Sequence, residues 1–137
     1  MDGQDERIAS IFNLDEVPKV SEETLTIYLQ YIRDNIDTEC EITGIEDFKW
    51  EEYYIIGPGS KKEHEKLRKT QPSYMDRFKI IAFEEKPDED YGIFVSLKRI
   101  SDGKKFVLPL ADLKASNKKT FTYQILDDYS VWFVNWR

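Results

Sequence analysis

Carboxylates are concentrated in one short run of the chain, residues 84–90. The run reads EEKPDED and includes the three consecutive acids Asp88, Glu89 and Asp90. Hard cations such as Ca²⁺ are bound by several oxygen atoms that converge from flexible backbone, and adjacent carboxylates repel one another unless solvent or a cation screens them. The run therefore indicates a weak calcium site, with a dissociation constant of about 10⁻⁵ to 10⁻³ M. The alternative is an ordinary solvated loop between two strands.

Further carboxylates stand outside this run. Asp127 and Asp128 lie near the C-terminal end, where a last strand would carry them toward the loop, and Asp112 follows the apolar run LPL. The spacing is not that of an EF-hand, because the regular acidic repeat and the later bidentate glutamate are missing. The prediction is an irregular surface site, whose ligands are Glu85, Asp88, Glu89, Asp90, Asp127 and Asp128.

The residue types that catalysis needs are scarce. His64, the only histidine, lies in the charged segment KKEHEKLRK, which predicts a solvated surface side chain. Cys40, the only cysteine, alternates with Glu39 and Glu41, which predicts that it points into the core, where free cysteines usually lie. No G-x-S-x-G, H-E-x-x-H or Walker-type glycine motif occurs. We expect a protein that binds a ligand and is not an enzyme.

The composition is that of a single acidic folding domain. The chain has 137 residues, 40% of them hydrophobic, and a net charge of -7, which suffices for one core and opposes binding to phosphate backbones. Basic residues do cluster in segments 61–69, 98–105 and 118–119, so a surface for an acidic partner or nucleic acid is a minor alternative. The single cysteine, the acidic N-terminus and the lack of a bilayer-length apolar run predict a cytoplasmic protein without a membrane partner.

The hydrophobic period changes from about 3.6 to 2 along the chain. Ser21 suits an N-cap, and the apolar residues after it fall at helical spacing, which predicts a helix over residues 22–36. That helix should bury Leu25, Tyr28, Leu29 and Ile32. The turn at residues 101–103 predicts a hairpin, and alternating or β-branched segments predict strands at residues 39–44, 50–56, 77–84, 91–100, 104–110 and 127–137.

These elements predict a mainly β, α+β domain. Few segments could serve as crossover helices, so the sheet should be antiparallel, and a small, partly open barrel capped by the helix removes exposed strand edges. Residues 21–137 are predicted to form this helix-plus-barrel domain. Residues 1–20 are predicted to form an N-terminal arm, which docks through a short amphipathic turn that contains Ile8, Ile11, Phe12 and Leu14.

The aromatic side chains leave a second function open. Trp50, Tyr53, Tyr91 and Trp132 are among those that could line a recognition groove for a peptide, although in a domain of this size core packing explains most of them more simply. The alternative to a calcium-binding protein is therefore a protein-interaction or regulatory module with the same barrel and no metal.

The order of elements also resembles a known family. The stretch FVLPLADL at residues 106–113 and the ending DDYSVWF at residues 127–133, after a helix and short strands, are similar to the small acidic prokaryotic calcium-binding proteins of the CcbP type. The resemblance covers about residues 25–56 and 93–136. It implies an SH3-like barrel preceded by a helix, and calcium as the ligand. It matches no ligand residue by residue, so the predicted metal ligands rest on the clustering of carboxylates.

Overall fold

The computed structural model describes residues 2–137, and Met1 of the predicted arm lies outside the described residues. These residues contain five α-helices, five β-strands and two 3₁₀ turns. In order they are α1 (Gly3–Ile11), α2 (Glu22–Asn35), β1 (Ile42–Gly44), a 3₁₀ turn (Lys49–Glu51), α3 (Glu52–Ile55), α4 (Lys61–Leu67), β2 (Phe78–Phe83), β3 (Phe94–Arg99), β4 (Lys105–Pro109), a 3₁₀ turn (Leu110–Asp112), β5 (Leu113–Ala115) and α5 (Phe121–Asn135).

Helix α2 forms where the sequence predicted it. The N–H of Thr24 donates to Ser21 Oγ at 3.1 Å, and the N–H of Ser21 donates to Thr24 Oγ1 at 2.8 Å. This reciprocal capping box pairs donors that the first helical turn would otherwise leave free. The predicted inner face is buried and is formed by Leu25, Tyr28, Leu29 and Ile32.

The five strands form one antiparallel sheet in the order β4-β3-β2-β1-β5. The predicted hairpin is confirmed, because β3 and β4 pair from Phe94 opposite Pro109 to Lys98 opposite Lys105. Strand β1 lies between β2 and β5, with Ile42 opposite Ala115. The antiparallel arrangement therefore follows the sequence prediction.

The sheet is open, which corrects the predicted barrel. Strands β4 and β5 are its edges, and β1 and β5 contain only three residues each, too few to curl the sheet onto itself. Helix α5 packs on β5 and covers this side of the sheet instead. Helices also contain more residues than strands do. The α+β class is thus confirmed, whereas the mainly β description is wrong.

The C-terminal segment is a helix and not the predicted last strand. Thr120 caps it, since the N–H of Tyr123 donates to Thr120 Oγ1 at 3.1 Å. Ile125, Tyr129, Trp132 and Phe133 fall at helical spacing and are all buried. The many aromatic and β-branched residues favoured a strand in isolation, but packing of this apolar stripe against the core overrides that preference.

Two further segments near the middle of the chain are helical. The predicted strand over residues 50–56 is instead a 3₁₀ turn followed by α3. Trp50 lies in the 3₁₀ turn, and its Nε1 donates to the carbonyl of Pro72 at 2.6 Å. The polar stretch after Gly59 forms α4, one of the two possibilities that the sequence left open. Its histidine is buried and not solvated, which corrects the sequence prediction for His64.

The N-terminal segment packs on the rest of the fold. Helix α1 buries Ile8 completely, and Ile11 and Phe12 pack at the edge of the same core, whereas Leu14 is exposed. The boundary at residue 20 stays a prediction. Within the described residues, no helix has both the length and the apolar character that crossing a bilayer requires.

Candidate functional site

A cleft of about 590 Å³ lies beside helix α5. Its walls are the loop after β1, the tip of the loop between β2 and β3, the 3₁₀ turn before β5, and the C-terminal half of α5. We call it the acidic cleft, because its lining includes six carboxylates: Glu46, Asp47, Glu52, Asp90, Asp112 and Asp127. Among the residues that line it, only Lys49 carries a positive charge.

Hydrogen bonds between the walls fix the shape of the acidic cleft. The N–H of Ile45 donates to the carbonyl of Asp112 at 3.0 Å, which joins the loop after β1 to the 3₁₀ turn. Ser130 Oγ donates to the carbonyl of Ala111 at 2.9 Å, which joins that turn to α5. Outside the lining, the N–H of Ile93 donates to the hydroxyl of Tyr129 at 2.9 Å, which joins the end of the loop between β2 and β3 to α5. The elements that carry Glu46, Asp112 and Asp127 are therefore hydrogen-bonded to one another.

Asp112 is the carboxyl group of the cleft whose environment is most clearly perturbed. Desolvation raises its pKa above the ordinary value, and the negative charge of Glu46 raises it further. Both causes act against the ionised form of Asp112. A cation bound near both Asp112 and Glu46 would offset the second effect.

The structure brings two of the six sequence-predicted ligands to the acidic cleft. Asp90 lines it from the tip of the loop between β2 and β3, and Asp127 lines it from α5. Asp128, the next residue of the helix, faces α1 instead. Its carboxylate accepts two hydrogen bonds from the guanidinium of Arg7, both at 3.0 Å, and a third from Gln4 at 2.9 Å.

The other three predicted ligands lie outside the lining of the cleft. Glu85 and Glu89 are exposed on the loop between β2 and β3. Asp88 Oδ1 accepts hydrogen bonds from the backbone N–H groups of Asp90 at 2.8 Å and Tyr91 at 3.0 Å, so it shapes the loop tip. Arg137 donates to the carbonyls of Glu89 and Asp90 at 3.0 and 2.9 Å, which places a positive charge beside this loop.

In the conformation described for residues 2–137, no three acidic, histidine or cysteine side chains are arranged to hold a metal ion. A cation in the acidic cleft would thus be held by rotation of exposed carboxylates toward it, together with backbone carbonyls and water, as the flexible coordination of Ca²⁺ allows.

Sequence analysis missed three carboxylates of the cleft, Glu46, Asp47 and Glu52. Their only signal is an acidic pair directly after β1 and a third acid in the following helix. Such pairs occur throughout this chain, so nothing in the sequence distinguishes this one. It is the antiparallel pairing of β1 with β5 that brings residues 45–47 next to Asp112.

A second cluster of chemically capable side chains is closed to solvent. Glu51 is fully buried, and its Oε2 accepts hydrogen bonds from Ser73 Oγ at 2.7 Å and from His64 Nε2 at 2.8 Å. Its Oε1 accepts from the N–H of Tyr74 at 2.8 Å. The imidazole stacks on the ring of Tyr54. Both Ser73 and His64 bind the same carboxylate, so the cluster ties three segments together.

Cys40 lies in the turn before β1 and is half-buried, which differs from the predicted core position. Strand β1 begins only at Ile42, so the alternation that placed Cys40 on an inner face starts after it.

One comparison with known proteins gives a match. A family model described as calcium binding, of the CcbP type, matches residues 48–133, a span that includes Asp90, Asp112 and Asp127. No curated protein and no solved structure matches. Because the matched span exceeds half of the chain, this protein belongs to the CcbP-type calcium-binding family.

Proposed function

We propose that this protein binds calcium in the acidic cleft and has no catalytic activity. The observation that carries the proposal is the collection of six carboxylates, opposed by one ammonium group, along a single cleft in a member of this family. A concave, partly desolvated surface strengthens the attraction of a cation to such charges.

Asp112 and Glu46 are the proposed centre of the calcium site. The negative charge of Glu46 disfavours the ionised state of Asp112, and a divalent cation near both would replace that repulsion with attraction. Asp90 and Asp127 line the same cleft from two other elements and would complete the carboxylate set. Asp128 is left out, because Arg7 already neutralises it.

The proposed absence of catalysis rests on the buried cluster. Ser73 is fully buried, so its hydroxyl cannot meet a substrate from solvent. The base that contacts the Ser73 hydroxyl is the Glu51 carboxylate, which is itself fully buried and shared with His64, so neither group of this pair is open to a substrate. A cytoplasmic location, inferred from the single cysteine, is part of the same proposal.

Calcium is expected to raise the melting temperature of the wild-type protein more than magnesium does. A ligand that binds only the folded state stabilises it by about 2.7 kcal/mol at a hundredfold excess over its dissociation constant. Asp90→Asn/Asp112→Asn should weaken calcium binding by about tenfold or more, because it removes two of the proposed ligands. Differential scanning fluorimetry and calorimetric titration measure both effects.

The matched control is Glu85→Gln/Glu89→Gln, which removes the same charge from the exposed loop outside the cleft. It should keep the calcium response of the wild-type protein. If this control loses the response while Asp90→Asn/Asp112→Asn keeps it, calcium binds at the loop that the sequence indicated. Equal melting-temperature shifts with calcium and magnesium would contradict the proposed calcium site altogether.

The raised pKa of Asp112 predicts how binding and stability depend on pH. Because the folded state holds this proton more tightly than the unfolded chain does, the contribution of Asp112 to stability is present at low pH. It is lost as pH rises through the folded-state pKa. Calcium affinity should change in the opposite direction and fall on acidification, since protons compete for the same oxygen atoms.

Asp112→Asn tests this pH dependence. Without calcium, the variant should be at least as stable as wild type at pH 7, and the difference should shrink on acidification toward the pKa of an ordinary aspartate. Chemical denaturation at several pH values, with EDTA present, measures it. A variant that is less stable than wild type at pH 7 and equally stable at low pH would contradict the assignment.

A further inference from the structure

The acidic cleft has an apolar floor that a calcium site does not use. Ile45, Tyr91 and Val134 line it and expose 41%, 58% and 66% of their surfaces. Phe48 and Phe133 also line the cleft and are buried. Calcium is held by oxygen atoms, so these side chains contribute nothing to its coordination. Exposed apolar groups gathered in one concave place are typical of surfaces that bind another molecule.

The charges of the cleft lining indicate which kind of segment could bind there. The lining contains six carboxylates and one lysine, so it carries a net charge of about -5 when its acids are ionised. An acidic segment or a nucleic acid would be repelled there. A segment that carries arginine or lysine beside an apolar side chain matches both the rim and the floor.

We propose that the acidic cleft docks a basic, extended segment of a partner protein, in which one apolar side chain packs on Ile45, Tyr91 and Val134 and flanking guanidinium groups pair with the rim. The volume of about 590 Å³ accommodates a few side chains of such a segment. This inference goes beyond calcium binding and does not depend on it, because the peptide contacts include the apolar floor.

Hydrogen bonds between the walls of the cleft support the proposal. Hydrogen bonds join Ile45 to Asp112 and Ser130 to Ala111, so two walls are fixed before any partner arrives. A rigid surface loses little conformational entropy on binding, which favours recognition of a flexible segment.

The test uses fluorescence anisotropy with three labelled peptides, in EDTA so that calcium plays no part. The probe is Arg-Arg-Leu-Arg-Arg-Leu, which should bind with a dissociation constant at least tenfold below that of Arg-Arg-Gly-Arg-Arg-Gly. The acidic peptide Glu-Glu-Leu-Glu-Glu-Leu should not bind. If the leucine and glycine peptides bind equally, the apolar floor has no role, and the proposal is overturned.

Two protein variants locate the binding surface. Ile45→Ser/Val134→Ser should weaken binding of the leucine peptide about tenfold, since both side chains are truncated within the proposed contact. The matched control, Phe121→Ser, removes an exposed apolar side chain at the other end of helix α5, outside the cleft. It should bind the peptide like wild type. If both variants lost the same affinity for the leucine peptide, the peptide would not bind specifically at Ile45 and Val134, and the proposal would be overturned.

Failure of this proposal is separable from failure of the calcium site. Ile45→Ser/Val134→Ser keeps every carboxylate, so it should retain the calcium-induced rise in melting temperature while losing the peptide. Wild-type protein that responds to calcium but binds no peptide overturns the docking proposal alone. A concentration-dependent dimer in analytical ultracentrifugation, abolished by this double variant, would show that a second copy of the chain occupies the cleft and would also overturn it.

Discussion

Replacing Glu51 with alanine is expected to lower the free energy of unfolding by about 3 to 5 kcal/mol. Its fully buried carboxylate accepts hydrogen bonds from Ser73, His64 and the backbone of Tyr74. Alanine leaves all of these donors without an acceptor in a site that water does not reach, and each unpaired buried donor costs about 1 to 3 kcal/mol. Urea denaturation followed by tryptophan fluorescence measures the loss.

The adjacent acid supplies the control for Glu51. Glu52→Ala changes an exposed carboxylate one residue further along and should alter stability by about 0.5 kcal/mol or less. Glu51→Gln should fall between the two, because its amide keeps one acceptor oxygen while presenting N–H groups to the other donors. Equal stability of Glu51→Ala and Glu52→Ala would show that the buried cluster does not hold the fold together.

Arg99→Met is expected to cost a similar amount, about 3 to 5 kcal/mol, because it breaks a buried charge network. Arg99 lies on β3 and is only 3% exposed. Its guanidinium donates to Asp76 Oδ2 at 2.8 Å and Asp102 Oδ2 at 2.7 Å, and also to the carbonyls of Arg68, Lys69 and Gln71. Methionine fills similar space but leaves these acceptors unpaired.

The same variant should show a defined pH dependence. Hydrogen bonds from Arg99 and from the backbone of Lys104 lower the pKa of Asp102 to about 2. The stabilisation from this lowered pKa is present above the ordinary aspartate pKa and is lost as pH falls toward about 2. The difference in stability between wild type and Arg99→Met should therefore narrow over that acidic range, which denaturation curves at successive pH values would record.

Two comparison variants define the role of Arg99. Lys98→Met removes a positive charge from the exposed neighbouring position and should change stability by about 0.5 kcal/mol or less. Arg99→Lys should lose most of the stabilisation, because an ammonium group cannot reproduce the planar fork that reaches five partners. If Lys98→Met were as destabilising as Arg99→Met, net charge and not the buried network would be the cause.

Together these two residues explain how a polar segment stays ordered. Residues 60–76 carry few apolar side chains, and Leu67 is the only aliphatic one before Pro72. Glu51 holds this segment at His64 and Ser73, and Arg99 holds it at Asp76 and at the carbonyls that follow α4. Buried hydrogen bonds to charged groups thus hold this segment in place, as apolar packing does elsewhere in the fold.

The sequence by itself determined the features that depend on neighbouring residues. Ser21 and the apolar spacing after it specify helix α2, and the turn before Gly103 specifies the hairpin of β3 and β4, because caps and turns are local interactions. The motifs FVLPLADL and DDYSVWF also pointed to the family that the comparison confirmed.

Only the tertiary structure decided that the C-terminal segment is a helix and which carboxylates meet. The run SVWFVNW has strand-forming residues, yet burial of Tyr129, Trp132 and Phe133 on one face makes it helical. His64 lies in a charged run and is buried nonetheless, because Glu51, 13 residues earlier in the chain, supplies its partner. Asp112 and Glu46 are neighbours only because β1 pairs with β5. These outcomes depend on contacts between residues far apart in sequence, and no local pattern records them.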